Sequence, residues 1–345
     1  MTTTMVDNLM KTQGRLAALC AAVVWAVFGA SSIAGAQSAE SFYKGKTITA
    51  VTEFGADAAI TILSRVSAPH FAKQTGTKVL VKPMPGGGGT LARNFLYEAK
   101  ADGLTLNLTA HGPKILTSGL FKLQGVRYQW SKFTFIGKTV ESNSCVIVGK
   151  TAAYKGPADL AGKKFNYGES SPFFGPLFAE ALNWDKMTVI PGYRSTTGRA
   201  VAISRGELQA ASASAQATVA SPDLIRLLVC SFPSKGFPNV PRVAQGMAPG
   251  RKKWVDYIEG WNKAMYVTVA PPGVPADRAR FLEKALERMW ADPEYQKAIK
   301  KIRYNPSSQF ISSAELKSFV ESLVALKDDE VKDMRTVITK KYKKK

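Results

Sequence analysis

Short apolar runs alternate with segments of helical spacing along most of the chain. Three runs in the first third have the composition of buried strands: KTITAVTEF (46–54), TKVLVKP (77–83) and LTLNLTA (104–110). Between the first two, Ile62, Val66 and Phe71 have the spacing of one helix face, with a break expected at Pro69. This strand–helix–strand rhythm predicts parallel βαβ units.

The same rhythm resumes in the middle of the chain. Further strand-like runs are NSCVIVG (143–149), KFNYG (164–168), MTVIPGY (187–193), DLIRLLVCSF (223–232) and AMYVTVAPP (264–272). Helical segments follow several of them, and the longest is predicted from Asp277 to Ile302 because one apolar stripe includes Leu282, Leu286 and Met289. The pattern is that of an α/β protein.

The first 36 residues have the three-part layout of a secretory signal peptide. Lys11 and Arg15 precede an apolar run, LAALCAAVVWAVFGA, and small residues follow up to Ala36. The run is shorter than the roughly 20 residues of a membrane-spanning helix, so cleavage near Ala36 is expected rather than anchoring. This predicts an exported protein.

Composition and charge add a preference for anionic ligands. The formal net charge is +21, and it becomes +20 when Lys11, Arg15 and Asp7 leave with the leader. Such an excess attracts anions at long range, although the basic tail KKYKKK is more typical of a solvated end. Two cysteines remain, Cys145 and Cys230, and their spacing leaves open whether they form a disulfide.

The residue types and motifs of most enzyme and metal sites are missing from the sequence. The chain has two histidines, His70 and His111, and no C-x-x-C, H-E-x-x-H or G-x-S-x-G motif. The loop PMPGGGGTLA lacks the lysine of a phosphate-binding P-loop, because Thr90 and Leu91 follow Gly89. We therefore predict no catalytic residue, metal or cofactor, and interpret the four glycines as a close strand-to-helix turn beside a binding cleft.

The order of several stretches is similar to that in the solute-binding proteins of tripartite tricarboxylate transporters, the Bug receptors. The stretches include VLVKPMPGGGGTLARNFLYEAKADGLTLNLT, KFNYGESS, VIPGYRSTTGRAVAISRGELQAA and GFPNVPRVAQG, and the resemblance extends over the chain that follows the leader. It implies a type II-like periplasmic binding protein fold, with two α/β lobes that each contain a mostly parallel sheet flanked by helices. It also implies capture of a small organic carboxylate and delivery to a membrane permease.

The resemblance and the two-lobe architecture together predict where the lobes begin and end. We expect residues 37–140 and 265–345 in lobe 1, and residues 141–264 in lobe 2. The chain would cross near Glu141 and Ala264. The predicted partners are the small organic acid and the permease subunits; we expect no nucleic-acid partner, and a monomer.

The expected binding site lies in the loops that follow strands, where helix N-termini gather. The residues that the resemblance and these loop positions assign to it are Phe54, Gly55, Thr61, His111, Ser170, Ser171, Phe174, Tyr193, Arg194 and Ser195. Arg194 is the natural bidentate partner of a carboxylate, with an ordinary surface arginine as the alternative. His111 has helix capping or solvent contact as its alternative.

Two of these loops depart from the pattern of the Bug receptors. EFGADAAIT (53–61) has Asp57, Ala58 and Ala59 in place of glycines, and Thr61 in place of an aspartate. Glu169 brings a negative charge into the second loop, where SPFFG also brings aromatic rings. A carboxylate in an anion cleft weakens binding unless it is paired, so an aromatic or weakly charged ligand is an open alternative. An exported α/β enzyme and a binder of anionic polymers are two further alternatives, and steep salt dependence would favour the latter.

Overall fold

The computed structural model describes residues 38–169, 173–193, 195–215, 221–233 and 237–343. One compact unit, Tyr43–Lys345, contains every strand, and of the preceding unit residues 38–42 are described. The predicted signal peptide, residues 1–36, lies outside the described residues. Within the described ranges, no helix combines the length and the apolar character needed to cross a membrane.

Eleven strands are present among the described residues. They are β1 Thr47–Thr52, β2 Lys78–Pro83, β3 Thr105–His111, β4 Thr134–Val140, β5 Ser144–Gly149, β6 Phe165–Gly168, β7 Met187–Ile190, β8 Ala210–Ser214, β9 Ile225–Cys230, β10 Met265–Ala270 and β11 Pro306–Ser312. The strand predictions for the first, middle and late apolar runs are confirmed. β4, β8 and β11 were not predicted, because polar or small residues interrupt the apolar pattern in them.

Helices connect most of these strands. They are α1 Ala39–Tyr43, α2 Ala59–Thr75, α3 Thr90–Glu98, α4 Gly112–Leu120, α5 Phe174–Leu182, α6 Thr196–Ser204, α7 Val243–Gly246, α8 Lys252–Lys263, α9 Ala276–Ala291, α10 Pro293–Lys301, α11 Ser313–Val324 and α12 Asp328–Thr336. Short 3-10 turns lie at Gly87–Gly89, Trp130–Lys132 and Pro157–Leu160, and a π-helical turn lies at Val337–Lys341.

The strands form two sheets, which confirms the α/β class. The first sheet has the order β11-β4-β10-β3-β1-β2, and the second has the order β7-β6-β8-β5-β9. In the first, β1 pairs in parallel with β2 and β3, whereas β10 is antiparallel to β3 and β4, and β11 is antiparallel to β4. In the second, β6 is parallel to β7 and β8, and β5 is antiparallel to β8 and β9.

Both sheets are therefore mixed rather than mostly parallel. The parallel pairs come from the βαβ units that the sequence pattern predicts. The antiparallel pairs are those of β10 with β3 and β4, of β11 with β4, and of β5 with β8 and β9. β10 enters the first sheet directly after the chain returns from the second. A returning strand runs in whichever direction its entry point imposes, and the local apolar pattern carries no information about that direction.

Two predictions about where helices break are wrong. Pro69 does not break its helix, because α2 continues to Thr75 with Leu63 and Phe71 buried on one face. Burial of that face outweighs the local cost of the missing N–H. The helix predicted from Asp277 to Ile302 is instead divided, since Asp292 leaves helical geometry and its side chain accepts from the Glu294 N–H at 2.9 Å.

A large apolar core connects the elements of the two sheets. It includes the buried rings of Trp184 and Trp261, and extends from Ile115 in α4 to Tyr342 near the C-terminus. The Trp261 ring lies 5.5 Å, centroid to centroid, from the ring of Phe319 in α11. This packing fixes the positions of the helices that carry the strand-end loops.

The C-terminal residues contact the second sheet. The Val189 N–H donates to the Tyr342 carbonyl at 2.7 Å, and the Tyr342 hydroxyl donates to Glu180 Oε1 at 2.6 Å. Lys341 forms an ion pair with the same Glu180 carboxylate. The lobe boundaries predicted from the sequence stay a prediction, but this end of the segment 265–345 packs on strands of the segment 141–264.

The two cysteines left open by the sequence form a disulfide. Cys145 in β5 and Cys230 in β9 are register partners on adjacent antiparallel strands, with Cα atoms 4.0 Å apart. The bond joins residues 85 positions apart in the sequence. It therefore fastens the edge strand β9 to its neighbour β5.

Candidate functional site

Hydrogen bonds of Thr61 hold the loop that follows β1. The Thr61 hydroxyl lies 3.0 Å from the hydroxyl of Thr52 and donates to the Phe54 carbonyl at 3.2 Å. Its side chain is buried, whereas Phe54 and Gly55 are half-buried at the sheet edge. Thr61 therefore holds the backbone of this predicted ligand loop, in which Phe54 and Gly55 are half-buried and Ala56 and Asp57 are exposed.

A buried ion pair lies directly behind this loop. Glu53 and Arg93 are 1% and 2% exposed, and Arg93 Nε lies 3.3 Å from Glu53 Oε1. The Arg93 Nε–H donates to the Gly89 carbonyl at 3.0 Å. Glu53 Oε1 therefore lies next to the positive charge of Arg93 but accepts no hydrogen bond from the described residues. Glu53 Oε2 accepts from the His111 N–H at 3.1 Å. Burial raises the pKa of Glu53, and Arg93 opposes that rise.

The same arginine organises the glycine loop. Arg93 donates to the carbonyls of Gly88 and Gly89, and across to the Lys114 carbonyl at 3.0 Å. Gly89 has φ +92°, and a Cβ there would lie 2.6 Å from Arg93 Nη2. The loop is therefore packed around a protein side chain, which agrees with the predicted structural role of its glycines.

His111 begins the helix that follows β3. Its Nδ1 accepts from the Lys114 N–H at 3.3 Å, which is an N-cap contact. Burial, together with the charges of Lys114 and Arg93, lowers the pKa of His111 to about 3. The imidazole is therefore neutral near pH 7 and accepts a hydrogen bond at this position.

The second sheet contributes a carboxylate to the same region. Glu169 follows β6, and its two oxygens accept from the backbone N–H groups of Phe173, Phe174 and Gly175 at 3.0–3.4 Å. Glu169 thus fills the N-terminus of α5, a position that suits an anion. Burial raises its pKa to about 7, and the three N–H donors and Arg199 oppose that rise.

Lys114 connects the charges of the two sheets. Burial lowers the pKa of Lys114, and the carboxylates of both Glu169 and Glu53 act in the opposite direction. Glu53 follows a strand of the first sheet and Glu169 a strand of the second. Lys114 in α4 is therefore close enough to interact electrostatically with the carboxylates of both strand-end loops.

Arg199 and Tyr193 border the site on the second sheet. Arg199 donates to the Tyr193 carbonyl at 2.8 Å and to the Thr196 hydroxyl at 3.1 Å, while its buried Nε forms no hydrogen bond with the described residues. The Tyr193 hydroxyl donates to Glu207 at 3.3 Å. The exposed Ser195 caps α6 by accepting from the Gly198 N–H at 3.0 Å.

The remaining predicted site residues fall into two groups. Phe174 is buried, and its ring packs 4.9 Å from that of Phe173, which in turn lies 5.7 Å from Trp261. Ser170, Ser171 and Arg194 lie outside the described residues. The ligand-binding role of all ten residues stays a prediction.

The sequence reasoning missed the buried charges Glu53, Arg93 and Arg199, and the half-buried Lys114. A signal existed for Arg93, which stands four residues after Gly89 on a helix and so points back to the loop. Glu53 ends an apolar strand run, which is where a functional carboxylate is found in α/β sheets. The described ranges hold no cluster of three or more His, Cys, Asp or Glu side chains placed to bind a metal.

The fold is that of periplasmic solute-binding proteins. A TctC solute-binding protein from Polaromonas superposes with a TM-score of 0.64 at 16% identity, over 82% of this chain and 99% of that one. The periplasmic binding protein BugD superposes with a TM-score of 0.60 at 18% identity, over 86% and 98%. MatC from Rhodopseudomonas palustris, solved with bound malate, gives 0.57 at 18% identity, over 84% and 98%.

The sequence is also similar to a curated protein. A UPF0065 protein from Bordetella bronchiseptica is 25% identical over 268 residues, which are 73% of this chain and 75% of that protein. No protein-family profile matches the chain. The resemblance to the solute-binding proteins of tripartite tricarboxylate transporters is confirmed by these relatives.

Proposed function

We propose that the protein is a periplasmic solute-binding receptor that captures a small organic acid between its two lobes. It delivers this acid to a membrane permease of the tripartite tricarboxylate type. The observation that carries the proposal is the charged cluster at the strand ends of both sheets, in a fold shared with MatC with malate and with a Rhodopseudomonas palustris protein with adipate. The chain acts as a receptor rather than as an enzyme.

The charge balance of the cluster supports an anionic ligand. Arg93, Lys114 and Arg199 are three cations, and Glu53 and Glu169 are two carboxylates. Because the pKa of Glu169 is raised to about 7, part of its negative charge is absent near neutral pH. The net positive field in this partly buried region attracts a carboxylate more strongly than the same charges would in water.

The proposed contacts follow the loops that the structure brings together. The backbone of Phe54 and Gly55, held by Thr61, grips one end of the ligand from the first lobe. Ser170, Ser171 and Arg194 complete the second-lobe side in this proposal, with Arg194 as the bidentate partner. His111 and Ser195 act as helix caps that fix the loop shapes, and Tyr193 and Phe174 form the apolar wall.

A second candidate is a receptor of the same fold for an aromatic or weakly charged ligand. Glu169 favours it, because this side chain already occupies the helix N-terminus that would otherwise bind a ligand carboxylate. A ligand with one carboxylate and an apolar body needs only one anion position. The two candidates therefore differ in the number of charges that the ligand carries.

A thermal-shift screen tests both candidates. The panel contains malate, adipate and citrate, aromatic monocarboxylates, and the matching neutral amides. A ligand that binds only the native state, at a free concentration of about 100 times its Kd, stabilises that state by about 2.7 kcal/mol and raises Tm. A shift with di- and tricarboxylates alone supports the first candidate, and a shift with monocarboxylates or amides supports the second.

Site variants test which residues the ligand-induced rise in Tm depends on. Arg194→Ala and Lys114→Met are expected to abolish the shift, whereas Arg127→Ala is the control, since Arg127 is an exposed arginine paired with Glu98 at 2.8 Å. A panel in which no acid shifts Tm contradicts the receptor proposal. A shift that persists in both site variants contradicts the proposed contacts.

A further inference from the structure

A cavity lies where the chain passes between the two sheets, apart from the strand-end cluster. It has a volume of about 850 Å³, and its lining includes Lys138 and Glu141 at the end of β4 and Lys263 at the end of α8. Phe232 closes it from the second sheet, and Trp290 and Lys300 from helices of the first. We call this the hinge groove. Its lining shares no residue with the strand-end cluster described above.

The walls of the hinge groove are held by a buried asparagine. The Asn262 side-chain oxygen accepts from the Ser144 N–H at 3.0 Å and from the Ser142 hydroxyl at 3.2 Å. Its amide nitrogen donates to the Ile258 carbonyl at 2.7 Å. Since Ser142 and Asn262 belong to the two crossings, the groove is a built feature of the fold and does not depend on mobile surface side chains.

The most buried cation of the groove has unused hydrogen-bonding capacity. Lys138 is 4% exposed, and its ammonium donates to the Asn262 carbonyl at 2.6 Å. An ammonium carries three donors, and this is the one hydrogen bond that the Lys138 ammonium makes to a described residue. Burial lowers the pKa of Lys138 to about 7, and the nearby Glu141 opposes that change.

Other groups of the groove complete a site for an aromatic acid. Lys263 and Lys300 add two exposed cations, against the single carboxylate of Glu141. The Trp290 indole is fixed by donating from Nε1 to the Ser307 carbonyl at 3.0 Å. The Ser307 hydroxyl is buried, in a residue 9% exposed, and forms no hydrogen bond with the described residues. The groove thus combines a cationic end, an aromatic wall and an unpaired hydroxyl.

We propose that the hinge groove is a second binding site, which takes an aromatic monocarboxylate. The carboxylate of the ligand pairs with Lys138 and Lys263, and its ring packs against Trp290 and Phe232. Ser307 supplies a further hydrogen bond. This site is separate from the solute cleft and does not depend on what the cleft binds.

Binding has a proton signature that a merely structural lysine would not produce. Near pH 8, Lys138 is mostly neutral in the free protein, so pairing with a carboxylate draws a proton from solution. The charged groups that face Lys138 are Glu141, Lys263 and Lys300. Burial raises the pKa of Glu141, and the charge of Lys138 opposes that rise.

Calorimetric titration with phenylacetate tests the proposal. Wild-type protein is titrated near pH 8 in two buffers of different ionisation enthalpy, and we expect uptake of close to one proton per ligand at this site. Lys138→Met is expected to weaken binding by about tenfold or more and to abolish the uptake, because one buried charge-assisted pair is lost. Lys263→Ala, at an exposed position, is expected to weaken binding severalfold without affecting folding.

Matched variants distinguish the hinge groove from the cleft. Lys297→Met, an exposed lysine on α10 outside the groove, is the control and is expected to bind like wild type. Lys114→Met, in the strand-end cluster, is expected to leave the proton-linked binding unchanged. The proposal is overturned if phenylacetate fails to bind at about 10 mM, or if Lys138→Met and Lys263→Ala bind it as tightly as wild type. Loss of the proton-linked binding in Lys114→Met alone would also overturn it.

Discussion

Replacing Arg93 by methionine should destabilise the protein strongly, because it leaves Glu53 buried without its cation. Arg93 also donates to the carbonyls of Gly88, Gly89 and Lys114, and these lose a partner as well. Breaking a buried ion pair by removing one member costs about 3–5 kcal/mol. Methionine keeps much of the volume of arginine, so the change reports on charge and hydrogen bonding more than on packing.

The part of the loss that comes from the buried charge has an upper limit, which the chemistry of Glu53 sets. A stranded carboxylate protonates, and near pH 7, for an ordinary pKa of 4.5, this costs about 3.4 kcal/mol. Near pH 5 the same step costs about 0.7 kcal/mol. In the variant, the pKa of Glu53 is raised further in the folded state, so stability is retained below pH 4.5 and is lost as the pH rises. The destabilisation by Arg93→Met should therefore shrink markedly between pH 7 and pH 5.

Urea unfolding of the variant at several pH values measures this effect. The control is Arg127→Met, which removes an exposed arginine paired with Glu98 and should cost less than about 1 kcal/mol. The double variant Glu53→Gln/Arg93→Met should regain part of the loss, since it buries no charge. A loss in Arg93→Met that matches the control, or one that is the same at pH 5 and pH 7, would refute the reasoning.

Three further predictions concern other buried features. Because the folded-state pKa of Glu169 is raised to about 7, stability should fall as the pH rises from about 4.5 to about 7, and Glu169→Gln should flatten this slope in urea titrations. Replacing Cys145 and Cys230 by serine should cost up to about 4.5 kcal/mol, and an unchanged urea midpoint would contradict the structural role of the disulfide. Gly89→Ala should lower Tm more than Gly88→Ala, because both have positive φ but only Gly89 faces Arg93; equal losses would show that the contact is unimportant.

The strand-to-helix turns were readable from the sequence because they depend on local pattern. Apolar runs marked β1, β3 and β5, and the glycines marked the turn before α3, since period and turn chemistry act within a few residues. The candidate site was readable only as a set of loops. Its charged members Glu53 and Arg93 are 40 positions apart, and nothing local shows that they meet.

The sequence by itself determined the α/β class, the order of the main strands and the resemblance to transporter-associated receptors, because these rest on periodicity and on ordered motifs. Only the tertiary structure decided that both sheets are mixed, that Cys145 meets Cys230, and that Glu169 fills the N-terminus of α5. It also decided that α2 continues through Pro69 while the later helix ends at Asp292. Each of these outcomes depends on which distant segments pack together, and burial free energy summed over such contacts outweighs local preference.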